Sequence, residues 1–335
     1  MQIAQLLSEE GFPAFRAKQL TEWLYKKGAK SYEAMTNLPK SMREFLQNTY
    51  PLDPPAVIDK QLSRDGTRKF LLHYGDGVVT ETVGIPSSDG RLTVCCSSQS
   101  GCAMGCDFCA TGKSGFRRNL SCGEIVDQVL TVQNDFNQRV SNIVVMGQGE
   151  PFLNYDNTIE ALRICNDARL LNIGARRITV STCGIVSGIR EFATLPEQFT
   201  LAVSLHAATQ QTRDKLMPGV KNIPLESLHN EISHYISMTN RRVTFEYALM
   251  NDVNDSQQDL EALIAYCRGL LCHVNLIPLN EVPGSKYVPT SHKTLSDWCD
   301  ALNREGIETS IRFSRGSDIA GACGQLANKY AQKHQ

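Results

Sequence analysis

From residue 92 onward the chain alternates short β-branched runs with amphipathic stretches, and this alternation constrains the fold more than any other feature. Strand candidates are Leu92–Ser97, Asn142–Met146, Arg177–Ser181, Thr200–Leu205, Val243–Leu249, His273–Ile277 and Thr309–Phe313. Helical patterns fill the intervals: Cys122–Phe136, Asp156–Leu170, Ile185–Ala193, Leu225–Ser237, Gln257–Leu270 and Leu295–Glu305. Strands alternating with helices build a parallel sheet joined by helical crossovers. Six strand–helix steps precede the last strand, which predicts an α/β fold of the barrel or partial-barrel type and not a short doubly wound sheet.

The first 50 residues read differently. Pro13–Tyr25 puts Phe15, Leu20, Trp23 and Leu24 near one helical face, and Ser41–Tyr50 reads as another helix after Pro39. Pro51, Pro54 and Pro55 then break the chain. Two β-like runs follow, Thr67–Tyr74 and Val78–Ile85, with Gly75-Asp76-Gly77 as the turn between them. A length of 335 residues suits one large domain with a small appendage. The formal net charge of −1 predicts no polyanion partner from global charge. No apolar run approaches the roughly 18 residues of a membrane span, and the start MQIAQLLSEEGF lacks the marks of a signal peptide. A cytoplasmic protein is expected, with no membrane partner.

Twelve cysteines are many for such a protein, and reduced thiols, metal ligands or redox chemistry explain them better than structural bridges. Cys102, Cys106 and Cys109 form a C-x3-C-x2-C motif just after a predicted strand. Three thiolates on one loop can hold three irons of a [4Fe–4S] cluster and leave the fourth iron open to a chelating small molecule. Gly101, Gly105 and Gly112 allow the loop to wrap closely. The competing reading is zinc, but a structural zinc site wants four closed ligands, usually as two separated pairs.

Polar residues cluster where predicted strands end, which is where a barrel gathers its active site. They are Gly147-Gln148-Gly149-Glu150, Ser181, Ser204-Leu205-His206 and Pro278-Leu279-Asn280. Each alone reads as a turn glycine or a helix cap. Their shared placement points to one small-molecule pocket.

With Phe108 as the aromatic in C-x3-C-x-aromatic-C, the motif resembles that of the radical S-adenosylmethionine (AdoMet) enzymes. Further segments resemble the RlmN/Cfr family of radical AdoMet methyltransferases: Gly149-Glu150-Pro151, Ser204-Leu205-His206, Leu216-Met217-Pro218, Val253-Asn254-Asp255, Asn275-Leu276-Ile277-Pro278, Ala322-Cys323-Gly324-Gln325-Leu326, and the helix around Glu22-Trp23-Leu24-Tyr25. The resemblance implies a partial (β/α)6 barrel with a helical N-terminal accessory domain. It implies a [4Fe–4S] cluster on Cys102, Cys106 and Cys109, and AdoMet contacts from Gly149, Glu150, Ser181, Ser204, Leu205, His206 and Asn280. It also implies methylation at C2 of adenosine 2503 in 23S ribosomal RNA and of adenosine 37 in transfer RNA. By the same resemblance, two AdoMet molecules are expected per turnover, with a flavodoxin or ferredoxin as electron donor and the enzyme acting as a monomer. The alternative product is the Cfr-type C8 isomer at the same ribosomal adenosine.

The same resemblance assigns the remaining roles. Cys323 carries the methyl group as S-methylcysteine, Cys95 resolves the covalent protein–RNA adduct through a transient disulfide, and Glu81 accepts a proton. From the residues alone, Cys95 and its neighbour Cys96 cannot be told apart, because on a strand they face opposite sides. Glu81 alone reads as a solvated surface residue. Gln148 stands where the family pattern has Met. RNA contacts are expected from Arg117-Arg118, Arg176-Arg177, Arg241-Arg242, Arg312, Arg315, Lys26, Lys27 and Lys30. The other cysteines (Cys122, Cys165, Cys183, Cys267, Cys272 and Cys299) read as small hydrophobes. The expected domains are 1–55 (helical, RNA-binding), 56–90 (β-rich extension), 91–310 (barrel core) and 311–335 (extension carrying Cys323). The rival classes are a radical AdoMet enzyme acting on something other than RNA, and a zinc-bound RNA-binding module.

Overall fold

The computed structural model describes residues 2–282 and 284–326. Its strands, in chain order, are β1 (Ala56–Leu62), β2 (Arg68–His73), β3 (Val79–Pro86), β4 (Leu92–Cys95), β5 (Gln99–Gly101), β6 (Phe116–Asn119), β7 (Asn142–Val145), β8 (Ile178–Thr182), β9 (Thr200–Ser204), β10 (Val243–Leu249), β11 (Cys272–Pro278) and β12 (Thr309–Ile311). β5 and β6 pair with each other, and the other ten form one sheet in the order β1-β2-β3-β4-β7-β8-β9-β10-β11-β12. From β4 to β12 every neighbouring pair is parallel. β1 to β4 are joined by antiparallel pairings.

The helices are α1 (Gln2–Glu9), α2 (Arg16–Thr21), α3 (Lys40–Thr49), α4 (Ala110–Lys113), α5 (Cys122–Phe136), α6 (Tyr155–Asn166), α7 (Val186–Ala193), α8 (Gln210–Leu216), α9 (Leu225–Thr239), α10 (Gln257–Cys267) and α11 (His292–Arg304). α5 to α11 occupy the six crossings between parallel strands, so the expected partial barrel is what forms. The edge strands β1 and β12 do not pair with one another.

Local chemistry sets the helix limits. α5 starts on a reciprocal capping box between Ser121 and Glu124 and ends at Asn137, whose φ is +48°. Its buried residues Ile125, Val126, Val129 and Val132 follow helical spacing and face the sheet. α6 stops at Asn166, four residues before the sequence pattern ends, because the Asp167 carboxylate accepts the Arg169 N–H at 2.8 Å and turns the chain. α10 stops at Cys267, short of Gly269 at φ +82°.

The first 50 residues hold their own core of Leu7, Leu20, Tyr32, Met35, Leu38, Met42 and Leu46. The helix expected from Pro13 begins at Arg16 and continues into a π-helical turn at Glu22–Lys26. Phe15 is therefore 60% exposed and outside that core. Gln133 on α5 ties this unit to the barrel by donating to the Tyr25 carbonyl. β1 escapes the sequence pattern because it is an edge strand, exposed along nearly its whole length, with no alternation to detect. The short β5–β6 ribbon carries no signal either. The segment expected as a β-rich extension continues the barrel sheet through β3–β4 pairing and lends Ile85 to the cavity wall. No described helix is long and apolar enough to cross a membrane.

The chain after β12 crosses back to the opposite end of the sheet. Gly316 N–H donates to Asp65 Oδ2, Ser63 Oγ donates to Asp318 Oδ1, and Arg64 N–H donates to Asp318 Oδ2. The loop that bears Cys323 thus bridges from the last strand to the β1–β2 turn. Residues 327–335 of the expected C-terminal extension lie outside the described residues.

Candidate active site

The carboxyl ends of the parallel strands enclose a cavity of about 390 Å³. Its wall includes Cys102, Cys106, Cys109, Gly149, Glu150, Ser181, Ser204, His206, Asn280, Cys95 and Cys323. Of the residues expected to hold the cluster, contact AdoMet or act in catalysis, all but Leu205 and Glu81 therefore meet at one place. Leu205 does not line the cavity: its side chain is fully buried in the main core, pointing away from its neighbours Ser204 and His206 as strand geometry requires. Glu81 sits behind the wall on β3, where it is 4% exposed. It is not the solvated surface residue that it resembles in isolation.

The cysteine loop is held by its backbone. Asp107 N–H donates to the Leu216 carbonyl, Gly219 N–H to Met104, and Cys102 N–H to Gly115. A Cβ on Gly112 would come within 2.8 Å of the Cys106 nitrogen, so the loop closes only around glycine there. Phe108 packs edge-on against His206, with ring centroids 4.9 Å apart. Burial, then repulsion from Cys109 and Cys102, pushes the Cys106 thiol well up. Burial likewise pushes Cys102 up to about 11. Thiols crowded in this way call for a cationic partner to hold them as thiolates. Among the described residues, no three His, Cys, Asp or Glu side chains gather around a point sized for one metal ion. Three neighbouring thiols on one loop fit a [4Fe–4S] cluster, in which each thiolate meets its own iron, better than a closed zinc site.

Beside the loop, the buried Glu150 carboxylate accepts N–H bonds from Phe152 at 3.0 Å and Cys183 at 2.7 Å. Burial raises its pKa and these bonds oppose the rise. An ammonium group in the cavity would complete its partners. His206 Nδ1 accepts the Ala248 N–H at 3.0 Å, which leaves the proton of a neutral ring on Nε2 as a donor. Burial, with the Arg213 charge second, pushes His206 down to about 3, so the ring stays neutral. Ser181 and Ser204 hydroxyls lie 3.4 Å apart on adjacent strands.

Arg213 on α8 carries no motif signal in the sequence, yet it organises this wall. Its guanidinium is 1% exposed and donates to the carbonyls of Leu205 and Cys183, each at 2.6 Å, and of Ser204 at 3.3 Å. It thereby ties the ends of β8 and β9 together. Its spacing on α8 reads as that of any surface arginine.

Strand register decides between the paired thiols. Cys95 pairs with Val83 and Val144 and lies against Leu326, on the cavity side. Cys96 points the other way into the main core. Cys323 is exposed into the same cavity. Its loop is pinned by Asn280 Nδ2 to the Cys323 carbonyl (3.0 Å), by Ala110 N–H to the Gly324 carbonyl (2.8 Å) and by Thr111 Oγ1 to the Leu326 carbonyl (2.7 Å). Crowding by protein raises the pKa of both thiols, Cys95 to about 12, while Arg312 acts to lower each. Arg312 is steadied by Glu246 Oε2 at 3.3 Å. Of the other cysteines, Cys165, Cys183, Cys267 and Cys272 are buried as expected, and Cys122 and Cys299 are half-buried.

The basic pairs divide by use. Arg118 is held by Asp76 and Glu124, Arg241 by backbone carbonyls of Glu197 and Phe199, and Arg242 by Glu308. Arg312 and Arg315 instead line the cavity.

Comparison with known proteins agrees with this geometry. Residues 96–264 match the radical SAM superfamily, and residues 1–51 match the ribosomal RNA large subunit methyltransferase N-terminal domain. The chain is 46% identical over 321 residues to the "Probable dual-specificity RNA methyltransferase RlmN" of Clostridium novyi, covering 96% of this chain and 93% of the relative. Its namesake from Staphylococcus aureus is 48% identical over 329 residues, covering 97% and 90%. A radical SAM methyltransferase crystal structure from Sphaerobacter thermophilus superposes with a TM-score of 0.93 at 44% identity, covering 96% of each chain.

Proposed function

Because this chain belongs to the RlmN family of radical SAM RNA methyltransferases, we propose that it methylates C2 of an adenosine in 23S ribosomal RNA and of an adenosine in transfer RNA, with Cys323 as the methyl carrier. One observation carries this reading: Cys323, Cys95 and the three motif cysteines face a single cavity. Adenine C2 lies between two ring nitrogens and is electrophilic. The electrophilic methyl of AdoMet cannot be transferred to it directly, so a thiol intermediate solves a real chemical problem.

The Cys323 thiolate attacks the methyl carbon of one AdoMet, S-adenosylhomocysteine leaves, and Cys323 becomes S-methylcysteine. A [4Fe–4S] cluster on Cys102, Cys106 and Cys109 supplies, when bound, the electron that cleaves a second AdoMet to methionine and the 5′-deoxyadenosyl radical. The S-methyl group of Cys323 gives up a hydrogen atom to that radical, forming 5′-deoxyadenosine, and the methylene radical left on Cys323 bonds to C2. Glu81 accepts the C2 proton as the radical adduct gives up one electron, for which the oxidised [4Fe–4S] cluster would serve as acceptor. The Cys95 thiolate then attacks the Cys323 sulfur. The sulfur–carbon bond breaks, a Cys95–Cys323 disulfide forms, and the enamine carbon left on the RNA takes a proton to become the methyl group. A one-electron donor such as flavodoxin or ferredoxin feeds the cluster, and a cellular thiol reduces the disulfide. For AdoMet we assign the ammonium to Glu150, backbone contact to Gly149, and the polar remainder to Ser181, Ser204, His206 and Asn280. Leu205 contributes through its backbone alone. Both RNAs are cytoplasmic, which sets the compartment, and a cavity complete within one chain fits a monomer.

The test is nucleoside mass spectrometry of 23S ribosomal RNA and transfer RNA from a host lacking its own enzyme and expressing this protein. The expected product is 2-methyladenosine in both. 8-Methyladenosine would overturn the regiochemistry. Neither product, from protein shown to carry iron and sulfide, would overturn the substrate.

A further inference from the structure

One buried ammonium group joins two parts of the site that lie far apart in sequence. Lys69 on β2 is 8% exposed. Its Nζ is 3.1 Å from Glu81 Oε1 and donates to the Ala320 carbonyl at 3.2 Å. Ala320 stands three residues before Cys323 and has a left-handed backbone, φ +51°, a conformation that an L-residue adopts only with support. Strand register explains the meeting. Lys69 pairs with Val83, and Val83 pairs with Cys95, so these residues form one row across three strands on the cavity side. Glu81 lies on that same face, two residues along β3 from Val83, in diagonal reach of Lys69. On the other carboxylate oxygen, Gln148 Nε2 approaches Glu81 Oε2 at 3.4 Å.

We propose that Lys69 is the positioning residue that seats the Cys323 loop against β2 and holds the Glu81 carboxylate in place as the proton acceptor. This rests on the roles given above to Cys323 and Glu81. A charge-assisted hydrogen bond fixes the direction of a carboxylate more firmly than a neutral donor does, so losing the Lys69 ammonium lets Glu81 turn from the position in which it meets the C2 proton. A single ammonium therefore couples the placement of the methyl carrier to the readiness of the base. In this chain Gln148 supplies the second, uncharged anchor of the carboxylate.

The experiment is a single anaerobic turnover of the cluster-loaded enzyme on a 23S RNA fragment. Intact-protein mass spectrometry and denaturing gels follow the S-methyl group, the protein–RNA adduct and the released product. Lys69→Met is expected to keep its iron and its Cys323 methyl group, to accumulate the adduct, and to release product at least tenfold more slowly. Lys69→Gln keeps a donor for Ala320 without the charge and is expected to accumulate the adduct as well. Lys69→Arg is expected to restore release to within about threefold, since a guanidinium serves both contacts. Wild-type release from either Met or Gln overturns the proposal, as does Arg failing as badly as Met. If Lys69→Met does not fold, the Gln variant alone decides. Cys95→Ser is run alongside: if it traps no adduct, the methyl-carrier reading itself fails, independently of Lys69.

Discussion

Gly149→Ala probes whether the glycines after β7 are ordinary turn residues or a cradle fitted to the site. Gly149 has φ +101°, and a Cβ there would lie 2.6 Å from Gln99 Cβ and 2.8 Å from the Gln99 nitrogen. Two costs follow. The backbone conformation costs an L-residue about 1–2 kcal/mol. The clash costs about 1–3 kcal/mol more, because Gln99 is buried and its backbone cannot swing aside. Gln99 Oε1 accepts the Glu150 N–H at 2.9 Å, so the strain passes directly to the carboxylate assigned to AdoMet. Gly77, at φ +83° in the β2–β3 turn, has open space around its Cβ and serves as the control. Urea denaturation of the two variants should show Gly77→Ala losing about 1–2 kcal/mol and Gly149→Ala about 2–5 kcal/mol. Calorimetric titration should show AdoMet affinity falling at least about tenfold, or 1.4 kcal/mol, only in Gly149→Ala. If Gly149→Ala were no less stable than the control and bound AdoMet as wild type does, the cradle reading would be wrong.

Three further outcomes can be measured. Asp127 on α5 is held up to about 7 by burial, then by Glu124 and Asp53; its folded form binds a proton more tightly than the unfolded chain, so its contribution is complete below about pH 4 and lost as pH rises through about 7, and Asp127→Asn should remove that slope from stability measured across the window, up to about 4 kcal/mol. Arg213→Met leaves the Leu205 and Cys183 carbonyls without their donor and should cost about 3–5 kcal/mol in denaturation, with a raised KM for AdoMet. Gln148→Met keeps the Lys69 partner of Glu81 and should retain product formation within about fivefold, because an uncharged contact at 3.4 Å contributes about 1 kcal/mol or less; a loss as large as that of Glu81→Gln would mean that the amide is indispensable.

Much of the site is legible in the sequence. The C-x3-C-x2-C motif points to a candidate ligand set because three thiolates with no fourth partner suit a cluster with an open iron, and the three cysteines do line the cavity. Gly149, Glu150, Ser181, Ser204, His206 and Asn280 fall at strand ends because the strand–helix rhythm itself says where strands end. Helix limits are less legible where a single turn decides them, as at Asp167. β1 is invisible because a strand exposed on both faces shows no alternation.

The sequence by itself determined the parallel sheet, through its local pattern of hydrophobicity, and it carried the cysteine motif and the further segments by which the chain resembles its family. Family resemblance aside, the residues leave Cys95 and Cys96 equivalent, and tertiary structure is what puts Cys95, and not Cys96, on the cavity that Cys323 lines, because adjacent strand residues differ only in which face the register assigns them. It alone turned Glu81 inward and gave it Lys69, and it alone made Arg213 the tie between β8 and β9. Each of these depends on contacts between residues far apart in the chain. A charged side chain carries no mark of whether water or a buried partner will balance it until the strands around it have found their register.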